Sequence, residues 1–141
     1  MLRVNPYLTF EGRCEEAFDF YKSIFGGEFS DVNRFSESPP DQPPAAGEED
    51  MIMHMALPIG GGQLLMGSDR PGRMGPSTVG DNVAISVSAE SVDEARRIFE
   101  GLSDGGKVTM PFERMFWGAD FGMCIDRFGV NWMVDHGPEG G

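Results

Sequence analysis

Basic charge is what this chain has least of. Lys and Arg number 11 against 23 Asp and Glu, a net charge of −12 over 141 residues. The deficit is shared by both halves and no basic stripe interrupts it, which argues against nucleic acid and anionic membrane surfaces as partners. There are only two cysteines, Cys14 and Cys124, and no CxxC pair. A disulfide framework is therefore not expected, and the usage fits a reducing cytoplasm. Histidine is equally scarce, with His54 and His136 alone, and no HxxxH spacing. No apolar run approaches the roughly 20 residues of a membrane span. The opening MLRVNPYLTF has no apolar secretory core, so neither export nor insertion is expected.

What is present is a repeat. Divided near residue 78, each half reads strand, acidic helix with Glu-Ala and an aromatic four places on, paired glycines, then further strands. The first copy runs Val4–Phe10, Glu16-Ala17 with Tyr21, and Gly26-Gly27; the second runs Asn82–Ser88, Glu94-Ala95 with Phe99, and Gly105-Gly106. One supersecondary unit used twice is the simplest reading, and two such units commonly build a shared cavity.

The first helix is expected over Cys14–Phe25, with Cys14, Ala17, Phe18, Tyr21 and Phe25 on one face. The second is expected after Ser91, whose hydroxyl and the Glu94 carboxylate form a capping-box pattern; Val92, Ala95, Ile98, Phe99 and Leu102 make its apolar face. Period-two segments follow near 28–35, 51–59 and 63–67, and again near 107–113, 118–126 and 131–134. Each half is thus β-α-β-β-β. The prolines of residues 37–50 (Pro39, Pro40, Pro43, Pro44) predict an irregular loop there, either a lid or merely mobile. The expected organisation is one domain over 1–141: module one at 1–67, a connecting loop at 68–81, module two at 82–136 and a short tail at 137–141.

Alternation assigns faces. Leu8, Phe10, Val83, Ile85, Val130, Trp132 and Val134 fall on the dry side and are expected to be buried under the helices. Tyr7, Met66 and Met133 fall on the other side, where large apolar groups suit a pocket better than open water. His54, in Met51-Ile52-Met53-His54-Met55, is the best candidate for a general base or ligand, with a structural histidine as the alternative. His136 is read as part of a frayed end, and Asp69 and Asp126 as turn residues. Phe116, Trp117 and Phe121 could stack on a planar ligand, with Trp117, Ala119 and Phe121 on one face; core packing or a dimer contact competes with that reading. Cys124 has no basic neighbour in sequence to activate it.

The segments NPYLTFEGRCEEAFDFYKSIFGGE, MIMHMAL, QLLMGSD and GGKVTMPFERMFWGADFGMCIDRFGVNWMV resemble the vicinal oxygen chelate (glyoxalase/bleomycin resistance/dioxygenase) superfamily. More narrowly they resemble its PhnB-like branch, often labelled 3-demethylubiquinone methyltransferase-like. The resemblance implies an α+β fold of two tandem βαβββ modules, a cupped mixed sheet with helices outside, and a homodimer. It also implies four metal-ligand positions, which fall on Asn5, Met66, Asn82 and Met133. None is a typical ligand, so no metal and no cofactor is expected. A methyl donor is not expected either, for want of a glycine-rich strand-to-helix turn. The leading expectation is a small-molecule binding protein whose cup uses Tyr7, His54, Met66, Asn82, Trp117, Phe121 and Met133. An enzyme of isomerase or lyase type with an unconventional site including His54, and a dimeric interaction module with a vestigial cup, are the alternatives.

Overall fold

The computed structural model describes residues 2–137. The chain divides into two compact units, Met1–Thr78 and Val79–Gly141. The first holds β1 (Tyr7–Phe10), α1 (Cys14–Phe25), β2 (Asp31–Arg34), β3 (Ile52–Pro58) and β4 (Leu64–Asp69). The second holds β5 (Ile85–Ser88), α2 (Val92–Ser103), β6 (Lys107–Arg114), β7 (Asp120–Ile125) and β8 (Asn131–His136). Each unit is a four-stranded mixed sheet with one helix, in the orders β1-β4-β3-β2 and β5-β8-β7-β6. In both, the first strand runs parallel to the last and the other pairs are antiparallel. The α+β class and the paired βαβββ modules are therefore as expected. Among the described residues no helix is long and apolar enough to cross a membrane.

Both helices begin and end where the caps place them, but they are capped differently. In α2 the Ser91 hydroxyl accepts from the Glu94 amide at 3.1 Å, and the Glu94 carboxylate reaches back to the Glu90 amide. The residue before α1 is Arg13, which offers no side-chain cap. Its place is taken from across the sheet. The Asp69 carboxylate, at the end of β4, accepts from the amides of Gly12 and Cys14 with one oxygen and of Ile52 with the other, each at 2.9 Å. Asp69 is buried, so it is not the turn residue its sequence neighbours suggest. On α1 the buried set is Cys14, Ala17, Phe18, Tyr21 and Ile24, so Ile24 replaces Phe25, which is half-buried.

A glycine admits an aromatic ring from each helix. A Cβ on Gly67 (β4) would lie 2.7 Å from Phe18 Cε1, and one on Gly122 (β7) 2.7 Å from Phe99 Cε1. The two sockets use opposite members of the central ladder. Gly67 faces Met55 on β3, whereas Gly122 on β7 faces Val134 on β8.

The strands are shorter than alternation implied. The ladder of β1 starts at Tyr7, because Pro6 has no N–H to give and only its carbonyl is used, by the Met66 amide. In module two, Asn82 and Val83 lie outside β5, and Val83 is 73% exposed rather than buried. Parallel register would set Val83 against Val130. That residue is already spent, its amide donating to the Asp126 carboxylate and its carbonyl accepting from the Asp126 amide. Phe10, Trp132 and Val134 are buried as expected, but Leu8, Ile85 and Val130 are only half-buried. The helices sit over the central strands, α1 on β3 and β4 and α2 chiefly on β7 and β8, leaving the edges partly uncovered.

The edge strand β6 is irregular. Its register against β7 breaks between Val108 and Met110 and again between Met110 and Glu113, a stretch that contains Pro111. The second break brings Phe112 inward, with its ring 5.6 Å from Phe99 and the Arg96 guanidinium 5.1 Å over it. Residues 38–50 form no helix or strand, and the segment from 70 to 84 contains only a short 3-10 turn at Gly72–Met74. Strand β4 thus runs two residues past the expected end of module one. Of the expected tail, residues 138–141 lie outside the described residues, while His136 belongs to β8, its ring nitrogen Nδ1 lying 3.0 Å from the Ala89 carbonyl.

Candidate functional site

The face of each sheet opposite its helix collects most of the expected site residues. In module one, Tyr7 pairs in register with Met66 and Met66 with Ala56, and His54 lies two residues along β3 on the same side. The rings of Tyr7 and His54 lie 5.9 Å apart with planes 22° from parallel. His54 Nε2 is 3.7 Å from the Asp31 carboxylate on β2. A half-buried imidazole beside a carboxylate and an aromatic ring is a chemically competent group.

In module two, Met133 pairs with Ser86 on one side and Met123 on the other; the next row is Ser88, Asp135, Phe121 and Glu113. Asp135 Oδ1 is buried and, among the described residues, accepts no hydrogen bond. Sequence reading missed it, because nothing local in Met133-Val134-Asp135-His136 distinguishes a carboxylate with a buried, unpaired oxygen from one solvated at the surface. Trp117 sits not in β7 but in the β6–β7 hairpin turn, 53% exposed, with its ring 6.3 Å from Phe121. Ala119 is buried and, like Trp117, lies before β7 begins at Asp120, so strand alternation does not set it beside Trp117 and Phe121. Asn82 lies exposed before β5 and joins no row of the sheet.

The four positions implied for a metal do not suit one. Asn5 Oδ1 already accepts from the Leu64 amide at 3.0 Å, Asn82 is off the strand, and Met66 and Met133 offer thioethers. Neutral amides and thioethers are poor ligands for a borderline divalent ion. Among the described residues no group of three His, Cys, Asp or Glu side chains is placed to hold one.

The other candidates are structural. Asp126 is buried at the β7–β8 turn, accepting from the amides of Phe128 and Val130 and, at 2.8 Å, from the Trp132 indole N–H. Burial, then the charge of Asp126, pushes the Cys124 thiol up to about 11. Cys14 is pushed up further by burial, with Asp69 and Glu15 adding to it. Neither is a thiolate at neutral pH, so neither is a poised nucleophile.

Two parallel-edged sheets, each built from one βαβββ unit with an open face carrying adaptable and aromatic side chains, define a class of protein. The model of the Glyoxalase/Bleomycin resistance protein/Dioxygenase superfamily matches residues 3–134, and the chain belongs to that superfamily. Within it the likeness is to the PhnB-like branch. The chain is 26% identical to a putative 3-demethylubiquinone-9 3-methyltransferase, PhnB protein, from Bacillus cereus, with a TM-score of 0.77 and 96% of this chain and 99% of that one covered. The structure of protein PA1353 from Pseudomonas aeruginosa is also similar, at 41% identity and a TM-score of 0.86, covering 97% and 98% of the two chains. Among curated proteins, YjdN of Escherichia coli (strain K12) is 28% identical over 140 residues, 94% of this chain and 93% of that protein.

Proposed function

We propose that this protein binds a small organic molecule at an open sheet face, without a metal, and that the ligand brings a hydrogen-bond donor beside an apolar body. The observation that carries the reading is Asp135 Oδ1, buried on the face that bears Phe121, Met123 and Met133. Folded proteins leave few buried polar atoms unpaired, and each that is left costs free energy that a ligand's N–H or O–H would recover. Methionines give that body an adaptable apolar bed, and Ser86 and Ser88 border it with hydroxyls.

A thermal-shift screen of amine-bearing and neutral aromatic compounds tests this. Ligand at a hundred times its Kd stabilises by about 2.7 kcal/mol, enough to raise Tm by several degrees. Amine-bearing hits should saturate on the wild type and fail on Asp135→Asn. Hits indifferent to that change, or no saturable hit, would overturn the reading. Retention of about one nickel, zinc, manganese or iron ion per chain after loading and dialysis would overturn its metal-free part.

A second reading, an isomerase- or lyase-type enzyme, draws support from the His54–Asp31 pair beside Tyr7, which could take a proton from a bound substrate. Turnover abolished by His54→Ala would favour it. A cytoplasmic homodimer suits either reading. The hairpin tip offers a contact, with Phe116 97% exposed and its ring 4.9 Å from that of Trp117. Light scattering of the wild type and of Phe116→Ser gives the oligomeric state directly.

A further inference from the structure

Beneath the proline-rich segment of module one lies a cleft of about 640 Å³, floored by Phe35 and Met53 and walled by Pro43 and Pro44. It is separate from the open face that carries Tyr7, His54 and Met66. The register of β3 explains how one strand serves both. Asn33 pairs with His54 and Arg34 with Ile52, so Met53 is the extra residue of a bulge and turns toward the loop. Met53 is exposed while Ile52 beside it is buried.

The segment over the cleft is held at its base. The Ser36 amide donates to the Glu49 carbonyl at 2.9 Å and the Phe35 amide to the Met51 carbonyl at 3.0 Å. The Arg34 guanidinium adds a bond to the Asp50 carbonyl at 2.8 Å and pairs with Glu15 at 2.7 Å. On the far side the Gly72 amide donates to Glu48 Oε2 at 2.9 Å, clasping the segment to the 3-10 turn that ends β4's exit. That turn is fixed in its own right, because Arg70 donates to the carbonyls of Met74 and Gly75, both at 2.7 Å.

The turn presents Arg73 to the cleft. Most arginines of module one are committed: Arg13 to Glu16, Arg34 to Glu15, Arg70 to the turn itself. Arg73, among the described residues, makes no ion pair or hydrogen bond, and neither does the side-chain carboxamide of Gln42, whose backbone N–H donates to the Pro39 carbonyl at 2.9 Å. A guanidinium left unmatched in a chain of net charge −12 is conspicuous. Glu48 shares the lining, but one of its oxygens is engaged by Gly72.

We infer that this cleft is a second binding site, for a small amphiphilic carboxylate: an aromatic or branched apolar body on Phe35, Met53 and the prolines, with its carboxylate on Arg73. A planar guanidinium meets a carboxylate with two parallel N–H···O bonds, which fixes the ligand's orientation as well as its charge. The volume is that of ordinary small-molecule sites. Gln42 supplies an N–H to the same group.

The test is titration with 1-naphthoate, and with 1-naphthalenemethanol as its uncharged twin, read on the methyl signals of the methionines. Met53→Leu identifies the Met53 signal. Saturable naphthoate binding should move Met53 and leave Met133 still. Arg73→Gln should weaken it about tenfold or more, the usual worth of a charge-assisted bond. Glu48→Gln, which keeps an oxygen for the Gly72 amide, should preserve or tighten it. The inference is overturned if the alcohol binds as tightly as the acid, if Arg73→Gln changes nothing, if the shifts fall on Met133 instead, or if no saturable binding is seen. None of these results depends on Asp135.

Discussion

Removing the Asp69 carboxylate should damage module one more than any other single polar deletion in it. Asp69→Ala leaves three amides without their acceptor, those of Gly12, Cys14 and Ile52. Two of these bonds are buried and that to Gly12 is partly buried, where water can replace the lost oxygen. An orphaned buried amide costs about 1–3 kcal/mol, so the two buried ones together cost roughly 2–6 kcal/mol. Against a total stability of about 5–15 kcal/mol, that is a large part of the whole. Asp69→Asn should be milder, about 1–3 kcal/mol. Its carbonyl can still serve Gly12 and Cys14, but its NH2 then faces the Ile52 N–H donor to donor. The assay is urea unfolding followed by far-ultraviolet circular dichroism and by amide hydrogen exchange across residues 12–14 and 52. Trp117 and Trp132 both lie in the second unit, so their fluorescence follows that unit. A loss below about 0.5 kcal/mol for Asp69→Ala, or equal losses for the two variants, would refute the reasoning.

Other outcomes are expected from the same geometry. Gly122→Ala should destabilise by about 1–3 kcal/mol in urea, because its methyl would meet Phe99 at 2.7 Å and the Phe112 backbone at 2.9 Å. Ser91→Ala should cost about 1 kcal/mol through loss of the α2 cap, measured the same way. The two thiols should resist Ellman's reagent at pH 8 in the native protein and react only after unfolding. With the Cys124 pKa raised to about 11, roughly one part in a thousand is thiolate there, and the fraction grows only as pH rises toward that value.

How much of this was legible in the sequence depends on how local the cause is. The span of the first helix and the start of the second were readable to the residue, because Ser91-Val92-Asp93-Glu94 and the glycine pairs are short-range signals. Strand ends were not, since alternation runs on past the point where a partner exists. Val83 alternates correctly, yet Val130 is already tied to Asp126. Asp69 was misread because Ser68-Asp69-Arg70-Pro71-Gly72 is made of turn formers, while its three donors lie 17 to 57 residues away in sequence. Of the candidate site, Tyr7, Met66 and Met133 fall on open faces as alternation foretold, and His54 and Phe121 lie there too, although alternation had assigned them neither side. Asn82 does not, and neither Asp135 nor Arg73 had a local pattern to betray it. Their interest comes from what they fail to touch, which only the folded chain decides.

The broken register of β6 bears on how this protein behaves at high concentration. An eight-residue strand at the margin of a sheet, with Val108 and Met110 exposed, is the sort of template on which chains stack into fibres. Here Pro111 withholds a donor midway, and two bulges bend the flanking backbone out of line. An incoming strand would find at most three or four consecutive partners before the match fails. The irregularity that lets Phe112 reach the core therefore also makes β6 a poor template for edge-to-edge addition.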